Sequence, residues 1–273
     1  MERIEQLARE RRSVRTYDGR EISAADMEKL RGFMECAENP YGQKVTFEVL
    51  SAAKEGLVCP VVSGTDVYVG GKIRVQEHMN EAFGYSFEML VMYAQSIGIG
   101  TVWLGGTMNR NAFEQAMKLS EDEVMPAASA LGYPAEKMSL REIMMRKGIG
   151  ADSRLPFETL FFDRSFENPL TGEKAGAFKG ALEAVRLAPS AVNRQPWRIV
   201  LTEDTAHFYL RRSKGFSVGK TLDMQKTDVG IAMCHFDLAV RECGMKTGLV
   251  MENPDIGMPA GTEYIASFRL EKA

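Results

Sequence analysis

The sequence predicts an α+β protein in which one folding unit is written twice along a single chain. Segments read alike at a constant spacing, amphipathic helices alternate with short apolar strands, and the composition is that of an ordinary globule. At an offset of 152, set by Arg12-Ser13 against Arg164-Ser165, Leu30 faces Leu182, Cys36 faces Ala188, Gln43 faces Gln195 and Phe47 faces Ile199. A second block matches at an offset of 146, where Ser96-Ile97-Gly98-Ile99-Gly100-Thr101 faces Glu242-Cys243-Gly244-Met245-Lys246-Thr247.

In chain order, each copy begins with a loop and an amphipathic helix, near 23–37 and 175–188. A turn rich in Asn, Pro or Gly leads into a strand near 45–51 and 197–202. Next comes a helix that stops at a glycine. Phe87, Leu90, Val91, Ala94 and Ile97 form its apolar stripe in copy one, and Ala232, Phe236, Ala239, Val240 and Cys243 in copy two, so one face of each should be buried and Cys243 should fill core. Closing strands are expected near 125–132 and 263–270. Between the copies, Ser139-Leu140-Arg141-Glu142 has capping-box spacing, and Lys137 to Asp163 is assigned to copy one. The expected units are therefore 1–163 and 164–273. Such a chain is a two-fold dimer made covalent, a pseudo-dimer expected to behave as a monomer, with further dimerisation left open.

With 34 Lys+Arg against 37 Asp+Glu the formal net charge is −3, which removes the electrostatic driver for binding nucleic acid or anionic lipid. Hydrophobic residues make up 45% and charged residues 26%, in a chain of 273. No run of about 18 apolar residues is present, and the start Met1-Glu2-Arg3-Ile4 has no signal-peptide core. No membrane association and a cytoplasmic location are expected. Cys36, Cys59, Cys234 and Cys243 form no CxxC pair and the three histidines are scattered, so neither disulfides nor a metal are indicated.

Three segments carry candidate chemistry. Arg11-Arg12-Ser13-Val14-Arg15, just past a predicted helix, offers guanidinium forks and a hydroxyl suited to phosphate; a solvated helix terminus is the plainer alternative. Ala188-Pro189-Ser190-Ala191-Val192-Asn193-Arg194-Gln195-Pro196-Trp197 is a helix-to-strand loop with short polar arms. Trp197 would be a flat apolar wall, so the loop suits a planar, amide-edged ring or, equally, simple turn chemistry. In Gly98-Ile99-Gly100-Thr101-Val102-Trp103-Leu104-Gly105-Gly106 the glycines permit close backbone approach. The GxGxxG nucleotide fingerprint fails because Trp103 stands at its third glycine.

Together these segments resemble the nitroreductase family of flavin enzymes, and more closely its branch in which two units are fused. The resemblance covers nearly the whole chain. It implies the FMN-dependent nitroreductase fold, with an RRSxR-like segment (Arg11, Arg12, Ser13, Arg15) on the FMN phosphate and ribityl chain. A PSxxNxQPW-like loop (Pro189, Ser190, Asn193, Gln195) would touch the flavin, and Gly105 and Gly106 would offer an amide near flavin N5. Arg154, in Ser153-Arg154-Leu155-Pro156, would be another phosphate ligand, with Lys147 a weaker candidate. The resemblance implies hydride transfer from NAD(P)H through FMN to a nitroaromatic or quinone-like acceptor, with no acid or base residue required. A flavin-binding sensor or store without turnover is the alternative. His78, Tyr85 and Tyr133 could lie near a substrate, with packing the plainer reading of each.

In the family the flavin lies where two units meet, one giving the arginine segment and the other the loop. Here the intact segment is in copy one and the intact loop in copy two. The mirror combination has Asp163 for Arg11, Glu167 for Arg15, Glu38 for Ser190 and Tyr41 for Asn193. Carboxylates stand in place of the two phosphate-holding guanidiniums and of the loop's hydroxyl, so one FMN per chain is expected rather than two.

Overall fold

The computed structural model describes residues 3–213 and 221–272. The chain divides into two compact units, residues 11–151 and residues 1–10 together with 152–273. The sequence-based boundary at 163 thus moves to 151. Helix α1 (Arg3–Glu10) and the stretch 152–163, both flanking copy one, belong with copy two, because α1 packs on helices of that unit and residues 161–163 join its sheet.

In the 11–151 unit, α2 (Ala24–Cys36) leads into β1 (Thr46–Ser51), the short α3 (Ala52–Glu55) and β2 (Val67–Arg74). The long α4 (Met79–Ser96) is followed by β3 (Gly100–Thr101), α5 (Arg110–Ala116), β4 (Glu123–Val124), β5 (Ala128–Gly132) and α6 (Leu140–Gly148). The sheet runs β1-β2-β5-β3 with antiparallel pairing throughout, and β4 pairs with the far end of β2. Its core gathers Val14, Tyr17, Tyr68, Val102, Leu104, Phe113 and Met117.

The other unit contains α7 (Phe157–Leu160), β6 (Phe161–Asp163), α8 (Lys179–Leu187), β7 (Trp197–Leu201), β8 (Thr205–Arg211), α9 (Met224–Glu242), β9 (Met245–Val250) and β10 (Thr262–Lys272). Its sheet order is β6-β7-β8-β10-β9. With β6 set aside, the order β7-β8-β10-β9 repeats β1-β2-β5-β3, and in each copy the long helix follows the second strand. The duplication is therefore present in the topology.

Local signals act where the sequence puts them. Ser23 and Ser139 cap α2 and α6, their hydroxyls accepting from Asp26 N at 3.1 Å and Glu142 N at 3.2 Å. Gly98 (φ +80°) and Gly244 (φ +75°) end α4 and α9 in the left-handed conformation. At Gly100 a Cβ would come within 2.9 Å of Val14 Cγ2, so glycine there lets the arginine segment lie against β3. Two expectations change. Cys243 is not core: it caps α9 one step past the apolar stripe and is exposed. The long helices are buried on more than one face, because polar positions find internal partners; Glu88 accepts from Trp103 Nε1 at 2.8 Å and Ser86 Oγ from Asn39 Nδ2 at 2.9 Å. Among the described residues no helix is long and apolar enough to cross a membrane, and no group of three His, Cys, Asp or Glu is placed to hold a metal ion.

Gly98→Ala and Gly244→Ala should each destabilise the chain by about 1–2 kcal/mol, the penalty of an L side chain in the left-handed region. Thermal melts of the two variants check this, and wild-type melting would remove the requirement.

Candidate functional site

The arginine segment leaves α1 in extended form and is pinned from both sides. Val14 N donates to Thr101 O at 2.8 Å, joining the segment to β3, and Ser63 N donates to Arg15 O at 2.9 Å. Glu142, on the inner side of α6 and 1% exposed, takes one guanidinium: Arg12 Nη1 lies 2.6 Å from its Oε1. Its Oε2 accepts from the Arg15 backbone N–H at 3.3 Å. Arg12 is thereby neutralised within the unit, and the expectation that three arginines face an anion narrows to two.

Those two differ in kind from Arg12. Arg11 is 8% exposed and its Nε has no partner; Arg15 Nε and Nη1 are buried and unpartnered as well. Burial pulls both guanidinium pKa values below the ordinary range; Glu88 pushes back at Arg11 and Glu142 at Arg15, while Arg146 adds to the lowering at each. Buried cations with unmade hydrogen bonds are costly, and an oxyanion with several acceptors removes both penalties at once. The donor set fits a phosphate. Lys147 is exposed on the last turn of α6.

Beyond β3 the chain turns at Gly105-Gly106. Arg110 fixes this turn, donating from Nη2 to Gly105 O at 2.8 Å and from Nη1 to Met125 O at 2.6 Å. Among the described residues neither the Gly105 nor the Gly106 amide N–H has a partner. Gly106 is exposed and a Cβ there would meet nothing within 4 Å, so it is the open donor rather than space that marks the position. Sequence reasoning missed Arg110, whose place at the start of α5 looks like ordinary helix chemistry.

In the other unit the loop after α8 carries three non-glycine residues at positive φ: Val192 (+49°), Asn193 (+54°) and Gln195 (+49°). Each costs of order 1 kcal/mol or more and persists only under external restraint. Ser190 Oγ accepts from Gln195 N at 2.8 Å, and Gln195 Oε1 accepts from Leu155 N at 2.9 Å. Asn193 Nδ2 donates to Ser153 O at 3.0 Å, and Arg154 Nη2 to Leu187 O at 3.1 Å. Gln195, 2% exposed, thus scaffolds the loop, and Arg154 sits beside that loop rather than in the arginine segment's unit. Trp197 is fully buried in β7, so the expected apolar wall is a core residue instead. Pro189 and Ser190 are half-buried at the mouth of the loop.

One restraint had no forewarning. Asp228, inside α9 and 3% exposed, accepts from Ala191 N at 2.9 Å through Oδ1, while its Oδ2 is buried without a partner. Burial raises its pKa well above the carboxylate range; the Ala191 N–H opposes this and Asp223 adds to it. The only signal was an acid amid the apolar run Val229-Gly230-Ile231.

The mirror residues have been rebuilt. Asp163 and Glu167 are exposed, and Arg164 pairs with Glu203 at 2.9 Å. Phe166 joins an aromatic cluster with Phe162 and Tyr209. Tyr41 stacks on His78 with ring centroids 5.7 Å apart. Tyr85 is buried, and Tyr133 donates to Asp26 Oδ2 at 2.7 Å beneath the Arg20 guanidinium.

The family model described as "Putative TM nitroreductase" matches residues 3–240. The chain belongs to this nitroreductase family. A crystal structure of a "putative nitroreductase" from Thermotoga maritima shares the fold with a TM-score of 0.62 at 17% identity, covering 98% of this chain and 93% of that one. Two smaller proteins align with about half of the chain. A nitroreductase family protein from Clostridium novyi does so at TM-score 0.41 and 16% identity, covering 48% of this chain and 84% of its own. An FMN-dependent nitroreductase from Clostridium difficile does so at TM-score 0.43 and 14% identity, covering 49% and 88%. No curated protein matches the sequence.

Asp228 gives this nitroreductase a pH signature. Between the ordinary carboxyl pKa and its raised folded value, the folded chain holds a proton that the unfolded chain releases, so stability falls as pH rises through that window. Asp228→Asn keeps an acceptor for Ala191 N–H without the charge. It should melt above wild type at about pH 8, with the gap closing toward about pH 4, where the unfolded carboxyl also holds its proton. A pH-independent difference between the two would contradict the assignment.

Proposed function

We propose that this nitroreductase is an FMN-dependent oxidoreductase that takes hydride from NAD(P)H and delivers it to an oxidised small molecule of nitroaromatic or quinone type, using one FMN per chain. The observation that carries the reading is the set of buried, unpartnered guanidinium nitrogens, Nε of Arg11 and Nε and Nη1 of Arg15. Bound FMN supplies a ring that accepts and returns hydride at N5.

The chain's own residues do the holding and biasing. Arg11, Arg15 and the Ser13 hydroxyl supply donors and positive charge for the phosphate, while Arg12 and Glu142 keep the segment extended along β3. Gly105 and Gly106 offer preorganised N–H groups whose dipoles favour negative charge on a neighbouring acceptor, with Arg110 bracing the turn. Pro189, Ser190 and Asn193 form the flavin-facing edge of the loop, and Gln195, Arg154 and Asp228 hold its strained backbone. At the mirror positions Asp163 and Glu167 would face a phosphate with like charge, and Glu38 stands where Ser190 would meet the flavin. At about 4 Å and a surface-like dielectric each such contact is worth on the order of 4 kcal/mol, more than a phosphate hydrogen bond returns.

Purified protein reconstituted with FMN should hold close to one flavin per chain, and a ratio near two would refute the single site. Arg15→Gln should weaken FMN retention by roughly 10- to 100-fold, the value of a charge-assisted hydrogen bond, with an unchanged circular dichroism spectrum; wild-type flavin content would remove Arg15 from the site. Rapid bleaching of the visible flavin band by NADH or NADPH, followed by recovery on adding a quinone, is the expected turnover. Absence of bleaching would leave binding without catalysis.

A further inference from the structure

The two copies differ at one edge of their sheets. In the 152–273 unit, α7 rests on α8 and β7, and β6 adds to β7 as a parallel strand, pairing Phe161 with Ile199, Phe162 with Val200 and Asp163 with Leu201. At the 152 offset β7 corresponds to β1 and α8 to α2, so the equivalent seat lies between α2 and the outer edge of β1. Among the described residues no strand pairs with that edge. A cavity of about 730 Å³ lies there instead, walled by Arg31, Met34 and Glu35 of α2, by Lys44, and by Phe47 and Glu48 of β1.

An unpaired strand edge with a groove beside it is a template for strand addition, in which backbone hydrogen bonds give affinity and side-chain pockets give selectivity. The sister unit shows what this groove accommodates: a helical turn followed by an extended tripeptide. The side-chain chemistry, however, has been altered. Val200, which packs with Phe162 and Tyr209, corresponds to the exposed Glu48. Around the cavity three carboxylates, Glu35, Glu38 and Glu48, outnumber Arg31 and Lys44. Neighbours directly across a strand pair share a face, so the residue opposite Glu48 should be cationic where β6 has Phe162. Phe47 and Val49, on the other face, call for apolar neighbours.

We propose that the α2–β1 groove is a docking site for an extended segment of a partner protein, which adds to β1 as a parallel strand and presents Lys or Arg, flanked by apolar residues, against Glu48. A second copy of this chain fits less well. Its own 157–163 segment is already seated on β7, and a β1–β1 pairing would bring its Glu48 against the same acidic groove.

The test uses the full chain and two fluorescently labelled peptides: residues 157–163 as they stand, and the same peptide carrying Phe162→Lys. The lysine peptide should bind saturably and roughly threefold more tightly, the scale of an exposed ion pair. Glu48→Lys, a change at an exposed position, should reverse that order while leaving circular dichroism and flavin content unchanged. Hydrogen exchange at residues 46–51 should slow on binding. No saturable binding of either peptide, or protection on β7 rather than β1, overturns the proposal. Concentration-dependent dimerisation abolished by Glu48→Lys also overturns it, in favour of a second copy as the occupant. Because flavin content is read in parallel, failure here is distinguishable from failure of the FMN reading.

Discussion

A guanidinium removed from water must be given back its hydrogen bonds and a negative charge, and the arginine segment meets that demand only in part. Glu142 satisfies Arg12 and, with its second oxygen, the backbone of Arg15. It cannot reach further, and the nitrogens left over on Arg11 and Arg15 are an unmet demand built into the fold. Much of the surrounding unit serves to hold that demand in place. β3 accepts the segment at Thr101, Gly100 has no Cβ to push Val14 away, and the capped first turn of α6 aims Glu142 inward. The same strand then delivers the Gly105-Gly106 turn, so the unpartnered guanidinium nitrogens and the open amides share one support.

Comparison of the two loops shows what divergence after duplication does physically. The 190–195 loop stores strain at Val192, Asn193 and Gln195 and is held by the Asp228 side chain of α9 and by its own Asn193 and Gln195 side chains, which bond the backbone of Ser153 and Leu155. Its counterpart at 38–43 places positive φ at Gly42, where glycine bears it without penalty. Asn39 closes that turn locally, its Oδ1 accepting from Tyr41 N at 3.1 Å and its Nδ2 donating to Gln43 O at 2.6 Å. Strain kept in one copy and relaxed in the other is the pattern expected when only one loop is required to present itself to a ligand.

What could be read beforehand follows the range of the forces involved. The serine cap of α6, the glycine stops at Gly98 and Gly244 and the repeated succession of helices and strands were legible because each is set by residues within a turn or two. Arg12, Gln195 and Arg154 were seen as candidate ligands, but their commitments lie far along the chain: Arg12 to Glu142 is a separation of 130 residues. Periodicity cannot report such partners. Trp197 and Cys243 failed for a related reason. A tryptophan beside a polar loop and a cysteine at the end of an apolar stripe look alike whether the chain bends one residue earlier or later, and that bend decides their burial. Asp228 was hidden because a buried acid leaves no pattern at all, only a break in one.

The shift of the boundary from 163 to 151 bears on why the copies share one chain. Copy one is flanked by two segments, α1 and 152–163, and both are built into the other unit: α1 against α8 and α9, α7 against α8, and β6 onto β7. The second unit therefore has no contiguous sequence that contains all of its parts. Separate chains would have to bring those parts together at the entropic cost of association, whereas a tether converts that step into loop closure, which grows only slowly with length. Once tethered, the copies no longer need to remain interchangeable. The two copies can then differ, with carboxylates at 163 and 167, positive φ on a glycine in the 38–43 loop and an open edge on β1. A symmetric dimer of identical chains could not make those changes on one side alone, since every substitution would appear in both of its sites.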